Sequence, residues 1–182
     1  MCIDCFNNPQ KYCKPGPAIP TSEETSEETF VCWNCKRRLN KLYDKEIIIF
    51  DDYAHHPTEI KATLSSVKSA YKDRRIIAIF QPHRYSRTEL LLNYFKDAFK
   101  DVDNLIITDI YAAGENEISG ISGETIYGIV KNENNKAKYI QNIEDIIPEL
   151  DKMKKDGDII LTLGAGNISR IGNEYAKKLL DS

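Results

Sequence analysis

The sequence predicts an α/β protein: an open, mainly parallel, Rossmann-like sheet of about five or six strands with helices on both faces, preceded by an irregular Cys-rich segment. Two observations carry this. From Glu46 onward, short continuous apolar runs alternate with stretches whose apolar residues recur at helical spacing. Before that point neither period is present, and all five cysteines are there.

The elements follow in order. Ile47-Ile48-Ile49-Phe50 reads as a buried strand, and Ile60, Leu64, Val67 and Tyr71 fall on one helix face. Ile76-Ile77-Ala78-Ile79-Phe80 is a second strand, followed by a helix marked by Leu91, Phe95, Ala98 and Phe99. Leu105-Ile106-Ile107 is a third strand; Ile126, Ile129 and Val130 mark its helix. Lys138-Tyr139-Ile140 is a short strand, and Ile143, Ile146, Ile147 and Leu150 mark the next helix. Asp158 to Leu163 is the last strand, and Ile171, Tyr175 and Leu179 line the last helix. The domain is expected over residues 45–182, and residues 1–44 form the separate segment.

Composition narrows the function. In 182 residues, 41% are hydrophobic and 29% charged, which is ordinary for a globular protein with a real core. A net charge of -3 points to no nucleic-acid or membrane partner. No apolar stretch approaches the roughly 20 residues that span a bilayer. The N-terminus lacks the basic and apolar regions of a signal peptide, so a cytoplasmic location is expected.

In residues 1–44, an odd cysteine count without an export signal argues against a disulfide framework. Cys2-x-x-Cys5 and Cys32-x-x-Cys35 have the spacing of a tetrathiolate zinc site, beside Lys36, Arg37 and Arg38. A structural Zn²⁺ on these four, or free thiols in a tail, are both open. The repeated Thr-Ser-Glu-Glu between them predicts a solvated loop.

All three histidines lie in two strand-to-helix junctions, Asp51-Asp52-Tyr53-Ala54-His55-His56-Pro57 and Phe80-Gln81-Pro82-His83-Arg84-Tyr85-Ser86-Arg87-Thr88. Open α/β sheets bind ligands beyond the carboxyl ends of their strands, where these junctions fall. Strand-end acids suit Mg²⁺ or a ribose hydroxyl, and a neutral imidazole accepts protons. Pro57 suits a first helical turn. Ser86, with Glu89 three positions on, reads as a capping box. Arg84 and Arg87 would then flank a helix start that already favours anions, which calls for a small anionic ligand such as a carboxylate or phosphate. Pairing of the arginines with acids such as Asp52 is the plainer alternative. Gly164-Ala165-Gly166-Asn167-Ile168-Ser169 is read as a tight turn rather than a dinucleotide loop, since Ser169 replaces the third glycine. Tyr111-Ala112-Ala113-Gly114-Glu115 opens a long loop at the same edge.

With Asp109-Ile110-Tyr111-Ala112-Ala113-Gly114-Glu115 and Gly164-Ala165-Gly166, these two junctions resemble the C-terminal, amino-acid-binding domain of the Mur ligases of peptidoglycan synthesis. The arginine-rich second junction is more similar to the member that joins L-alanine to UDP-N-acetylmuramate than to the one that recycles murein tripeptide. The resemblance implies ATP and Mg²⁺ as cofactors of the complete enzyme. It implies that Arg84 and Arg87 hold the alanine carboxylate and that Tyr53 and His55 line the amino-acid site. Asp52 would lie on the ATP and Mg²⁺ side, so Asp52 and His55 are the catalytic expectations. The family also has a UDP-sugar domain and an ATPase domain with a phosphate loop, and no G-x-x-x-x-G-K-[ST] occurs here. The chain is therefore expected to be inactive alone: a fragment, a fusion, or half of a split enzyme whose missing domains act in trans. A stand-alone binding module with a zinc knuckle is the other class.

Overall fold

A computed structural model describes residues 37–134 and 136–181. The four candidate zinc cysteines and the Thr-Ser-Glu-Glu tract lie outside the described residues. The compact unit begins at Leu39. Its six strands are β1 (Asn40–Asp44), β2 (Ile48–Asp52), β3 (Ile76–Phe80), β4 (Asn104–Ile107), β5 (Ala137–Tyr139) and β6 (Ile159–Leu163), in the order β1-β2-β6-β3-β4-β5. β1 pairs antiparallel with β2; the other pairings are parallel. The helices are α1 (Pro57–Ala70), α2 (Tyr85–Leu91), α3 (Gly123–Val130), α4 (Ile146–Met153) and α5 (Ile168–Leu180).

Every residue of β2, β3 and β6 is buried, which is why these strands read as unbroken apolar runs. Ile76, Phe80, Leu105 and Leu161 face α1 and α3, with Phe95 and Phe99 between them. Ile49, Ile77, Ile106 and Ile160 face α4 and α5. Each such side chain contributes about 1.5–3 kcal/mol by leaving water. Crossovers from β2 through β5 run one way across the sheet and put their helices on one face. The return from β5 to β6 runs the other way and, by the same right-handed rule, puts α4 on the opposite face. β6 therefore sits between β2 and β3, and the connections leaving their carboxyl ends part there.

Three expectations are corrected. β1 was not anticipated: only Tyr43 of its five residues is buried, and an edge strand carrying Lys41 and Asp44 has no apolar period. The helix expected over Leu91–Phe99 is α2 followed by a 3₁₀ segment, Leu92–Asp97; all four apolar positions still reach the core. The Ser86 capping box does not form. α2 starts two residues earlier, with Arg84 as N-cap at φ +68° and no side-chain cap.

Candidate functional site

Strand pairing brings the carboxyl ends of β2, β6, β3 and β4 to one edge, and both His-bearing junctions with them. At the end of β2, Asp51 and Asp52 are only 2% and 1% exposed. Asp51 Oδ1 accepts from the Thr162 hydroxyl at 2.7 Å. The Asp52 carboxylate accepts from the N–H groups of Ala54 at 2.7 Å and Leu39 at 2.9 Å. It thus braces the turn leaving β2. His56 is spent on structure: its Nδ1 caps α1 by accepting from Thr58 N–H, and Glu59 reaches back to complete the box. His55 Nδ1 lies 3.0 Å from the Tyr53 carbonyl. A carbonyl can only accept, so Nδ1 carries the proton and a neutral ring keeps its lone pair on Nε2. The Tyr53 ring meets His55 edge-on at 5.3 Å.

Beyond β3 the chain stays beside the end of β4. Tyr111 N–H donates to Pro82 O and Arg84 N–H to Tyr111 O, each at 2.9 Å. This fixes His83, whose ring stacks on Tyr111 at 5.7 Å and lies 5.7 Å from His55. Arg87 Nη1 is 3.4 Å from His83 Nδ1. Burial first, then the neighbouring His55, Arg87 and Arg84, lower the His83 pKa to about 4. His83 is therefore neutral at pH 7 and accepts from Arg87.

Between its ordinary value and about 4, the unfolded chain takes up a proton that the folded chain refuses. His83 accordingly lowers stability as pH falls through that window and has no effect above it. An NMR titration of the His83 ring protons should show a midpoint near 4, well below that of an open histidine. An ordinary midpoint would mean that the ring stands in solvent.

Arg84 is 49% exposed at the side chain, and its Nη1 lies 3.9 Å from Glu115 Oε1. Glu115 accepts from Ser86 N–H at 3.0 Å and from the Ser86 hydroxyl at 2.8 Å. These bonds, the N–H first, hold its pKa below the usual carboxylate range. The ion partner of Arg84 is thus Glu115, not Asp52. The loop bearing Tyr111 and Glu115 is pinned at both ends by one oxygen: Asp109 Oδ1 accepts from Ile110 N–H at 3.1 Å and Gly123 N–H at 3.2 Å.

The turn after β6 is tight, as expected. A Cβ on Gly166 would meet Gln81 Oε1 at 2.5 Å and the Tyr111 ring at 2.6 Å. Buried Gln81 joins this turn to β3, donating to Asn167 Oδ1 at 2.8 Å and accepting from Ile168 N–H at 3.1 Å. Gln81, Tyr111, Asp109, Gln141 and Asn167 help to line a cleft of about 430 Å³ next to the His83 stack. Gln81 and Asn167 were missed because their roles depend on each other across 86 positions. The placement of Gln81 just after one strand and of Asn167 in the turn after another hinted at this edge.

The arrangement separates the expected residues. Tyr53, His55, His83, Arg84 and Arg87 are brought together. The nucleotide and Mg²⁺ implied by the resemblance do not fit this chain's own groups. Asp52 is turned into backbone N–H groups, the Gly166 turn is filled by Gln81 and Tyr111, and no group of three metal-ligating side chains occurs among the described residues. What the edge can do is bind a small carboxylate and offer neutral imidazole beside it.

Comparison with known proteins shows the family. Residues 37–166 match the family model "Mur ligase, glutamate ligase domain". The chain is 75% identical over 143 residues to UDP-N-acetylmuramate–L-alanine ligase of Brachyspira hyodysenteriae, covering 79% of this chain and 31% of that protein. The corresponding ligase of a Sulfurihydrogenibium species is 47% identical over 146 residues, covering 80% and 32%. Among solved structures, UDP-N-acetylmuramate–alanine ligase of Thermotoga maritima superposes with a TM-score of 0.63 at 25% identity, over 80% of this chain and 30% of that one. A murein peptide ligase of Psychrobacter arcticus also gives 0.63 at 25% identity, over 79% and 30%. The chain thus spans about a third of the length of the curated relatives it matches. It belongs to the Mur ligase family, and residues 37–166 are its glutamate ligase domain.

Proposed function

We propose that this chain supplies the amino-acid-binding third of an ATP-dependent ligase that joins L-alanine to UDP-N-acetylmuramate in peptidoglycan synthesis. The observation that carries the reading is the placement of Arg84 and Arg87 at one helix start, beside His83 and His55. Guanidiniums bind a carboxylate through paired N–H donors. They would neutralise the alanine carboxylate and leave its amine directed away from them. The amine attacks only once deprotonated, and Nε2 of His55, in the neutral form of the ring, can take that proton. Tyr53 closes the side of this space. Holding alanine in one orientation against the activated muramyl carboxylate is catalysis by proximity. Activation of that carboxylate by ATP belongs to the remainder of the ligase.

The 182-residue chain, given ATP, UDP-N-acetylmuramate and L-alanine, is expected to release no phosphate and form no amide. Addition of the remainder of the Brachyspira relative should restore alanine-dependent amide formation. Turnover with murein tripeptide in place of alanine would assign the domain to the recycling reaction. No amide in any combination would defeat the reading, and ATP turnover by the chain alone would defeat the division of labour.

A further inference from the structure

α2 begins without a cap of its own. Arg84, at its N-cap position, has no acceptor oxygen in its side chain, and Ser86 directs both its N–H and its hydroxyl to Glu115 on the facing loop. Arg84 also stands at φ +68°, a backbone region that a side chain with a Cβ avoids. It is kept there from several sides. Its N–H donates to Tyr111 O at 2.9 Å, and its carbonyl accepts from Thr88 N–H at 3.1 Å and the Thr88 hydroxyl at 2.8 Å. Glu115 holds the residue two positions on. The loop carrying Glu115 cannot drift, since Asp109 ties both its ends and Tyr111 stacks on His83. Glu115 Oε1 lies 3.9 Å from Arg84 Nη1, beyond hydrogen-bond length. It attracts the guanidinium without taking up its fork, and the side chain stays half exposed.

We propose that Glu115 is the positioning residue of the arginine site: it caps α2 from the facing loop and sets the Arg84–Arg87 turn in the shape that receives a carboxylate. The proposal rests on the amino-acid-site reading above. Glu115 touches no substrate in this account. Its charge acts through Ser86 and Arg84, so losing it disorders the turn and weakens the grip on the ligand while the fold persists.

The test uses the full chain, ¹⁵N-labelled, titrated with L-alanine while the Nε–H signals of Arg84 and Arg87 are followed. Both signals should move in the parent chain. In Glu115→Gln the Arg84 signal should broaden before alanine is added, and the alanine Kd should rise about five- to ten-fold, less than the loss of a charge-assisted bond to the ligand itself because Glu115 acts only through Ser86 and Arg84. Glu133→Gln removes the same charge at an exposed pair with Lys96 and should change neither. A Glu115→Gln chain that melts earlier but binds alanine as before would overturn the proposal, for Glu115 would then be a cap alone. If Glu115→Gln does not fold, Ser86→Ala removes only the hydroxyl contact; it should raise Kd about two- to three-fold, and an unchanged Kd would overturn the proposal. Failure of the parent chain's arginine signals to respond to alanine would instead overturn the amino-acid-site reading, so the two failures are distinguishable.

Discussion

Arg84→Ala or Arg87→Ala, placed in a complete ligase containing this domain, is expected to lower kcat/KM for L-alanine roughly ten- to a hundred-fold, mostly through KM. Losing one charge-assisted bond to a carboxylate costs about 1.5–3 kcal/mol. Alanine is the appropriate replacement at Arg84. It carries a Cβ as arginine does, so the penalty of φ +68° is the same in both and the difference reports the guanidinium. The KM for ATP should move far less, since neither side chain is directed to a nucleotide in this account. Lysine should rescue poorly, because a point charge does not reproduce a planar fork. Arg87→Ala has a second readout. It removes one of the cations holding the His83 pKa near 4, so that value should rise in the variant. Unchanged alanine kinetics in both variants, with the domain folded, would show that the arginines are structural or hold another anion.

The arginine site was legible because its members are neighbours in the chain. Arg84 and Arg87 are three apart, and Asp51 to Pro57 is one short junction, so local pattern was enough to place both junctions at the carboxyl ends of buried strands. The sheet was legible for the same reason: β2, β3 and β6 are buried on both faces and carry no interruption. What escaped was long-range partnership. Ser86 satisfied the local rule for an N-cap, yet it donates to Glu115, 29 residues away, and the helix starts elsewhere. Asp52 resembled an open strand-end carboxylate, yet two backbone N–H groups hold it, one of them 13 residues upstream. Of the paired histidines, one caps a helix and the other faces the site, a division that depends on the path of the turn after β2. β1 was missed because an edge strand with one buried residue leaves no hydrophobic signature.

Arg75→Met should destabilise the domain by about 3 kcal/mol and leave the arginine site intact. Arg75 lies at the amino end of β3, across the sheet from the site. Its Nε and Nη2 grip Asp158 in a fork at 2.9 and 2.6 Å, and Nη2 also donates to Met153 O at 2.8 Å. The Asp158 side chain is only 3% exposed. Its backbone carbonyl accepts from Ile48 N–H at 3.0 Å, and Arg75 O accepts from Ile159 N–H at 2.8 Å, so the starts of β2, β3 and β6 are joined here. Removing the guanidinium leaves the buried carboxylate with the Lys155 N–H, which donates to Asp158 Oδ2 at 2.8 Å, and no balancing charge. Breaking such a pair costs about 3–5 kcal/mol, and the lower end applies because Arg75 itself remains 28% exposed and water reaches it. A second change, Asp158→Leu, removes the stranded charge and should recover part of the loss, since an apolar pair avoids the desolvation of both ions. Urea unfolding of the two variants measures this. A cost below about 1 kcal/mol in Arg75→Met, the range of an exposed ion pair, would mean that water screens the fork and that apolar burial alone aligns the three strands.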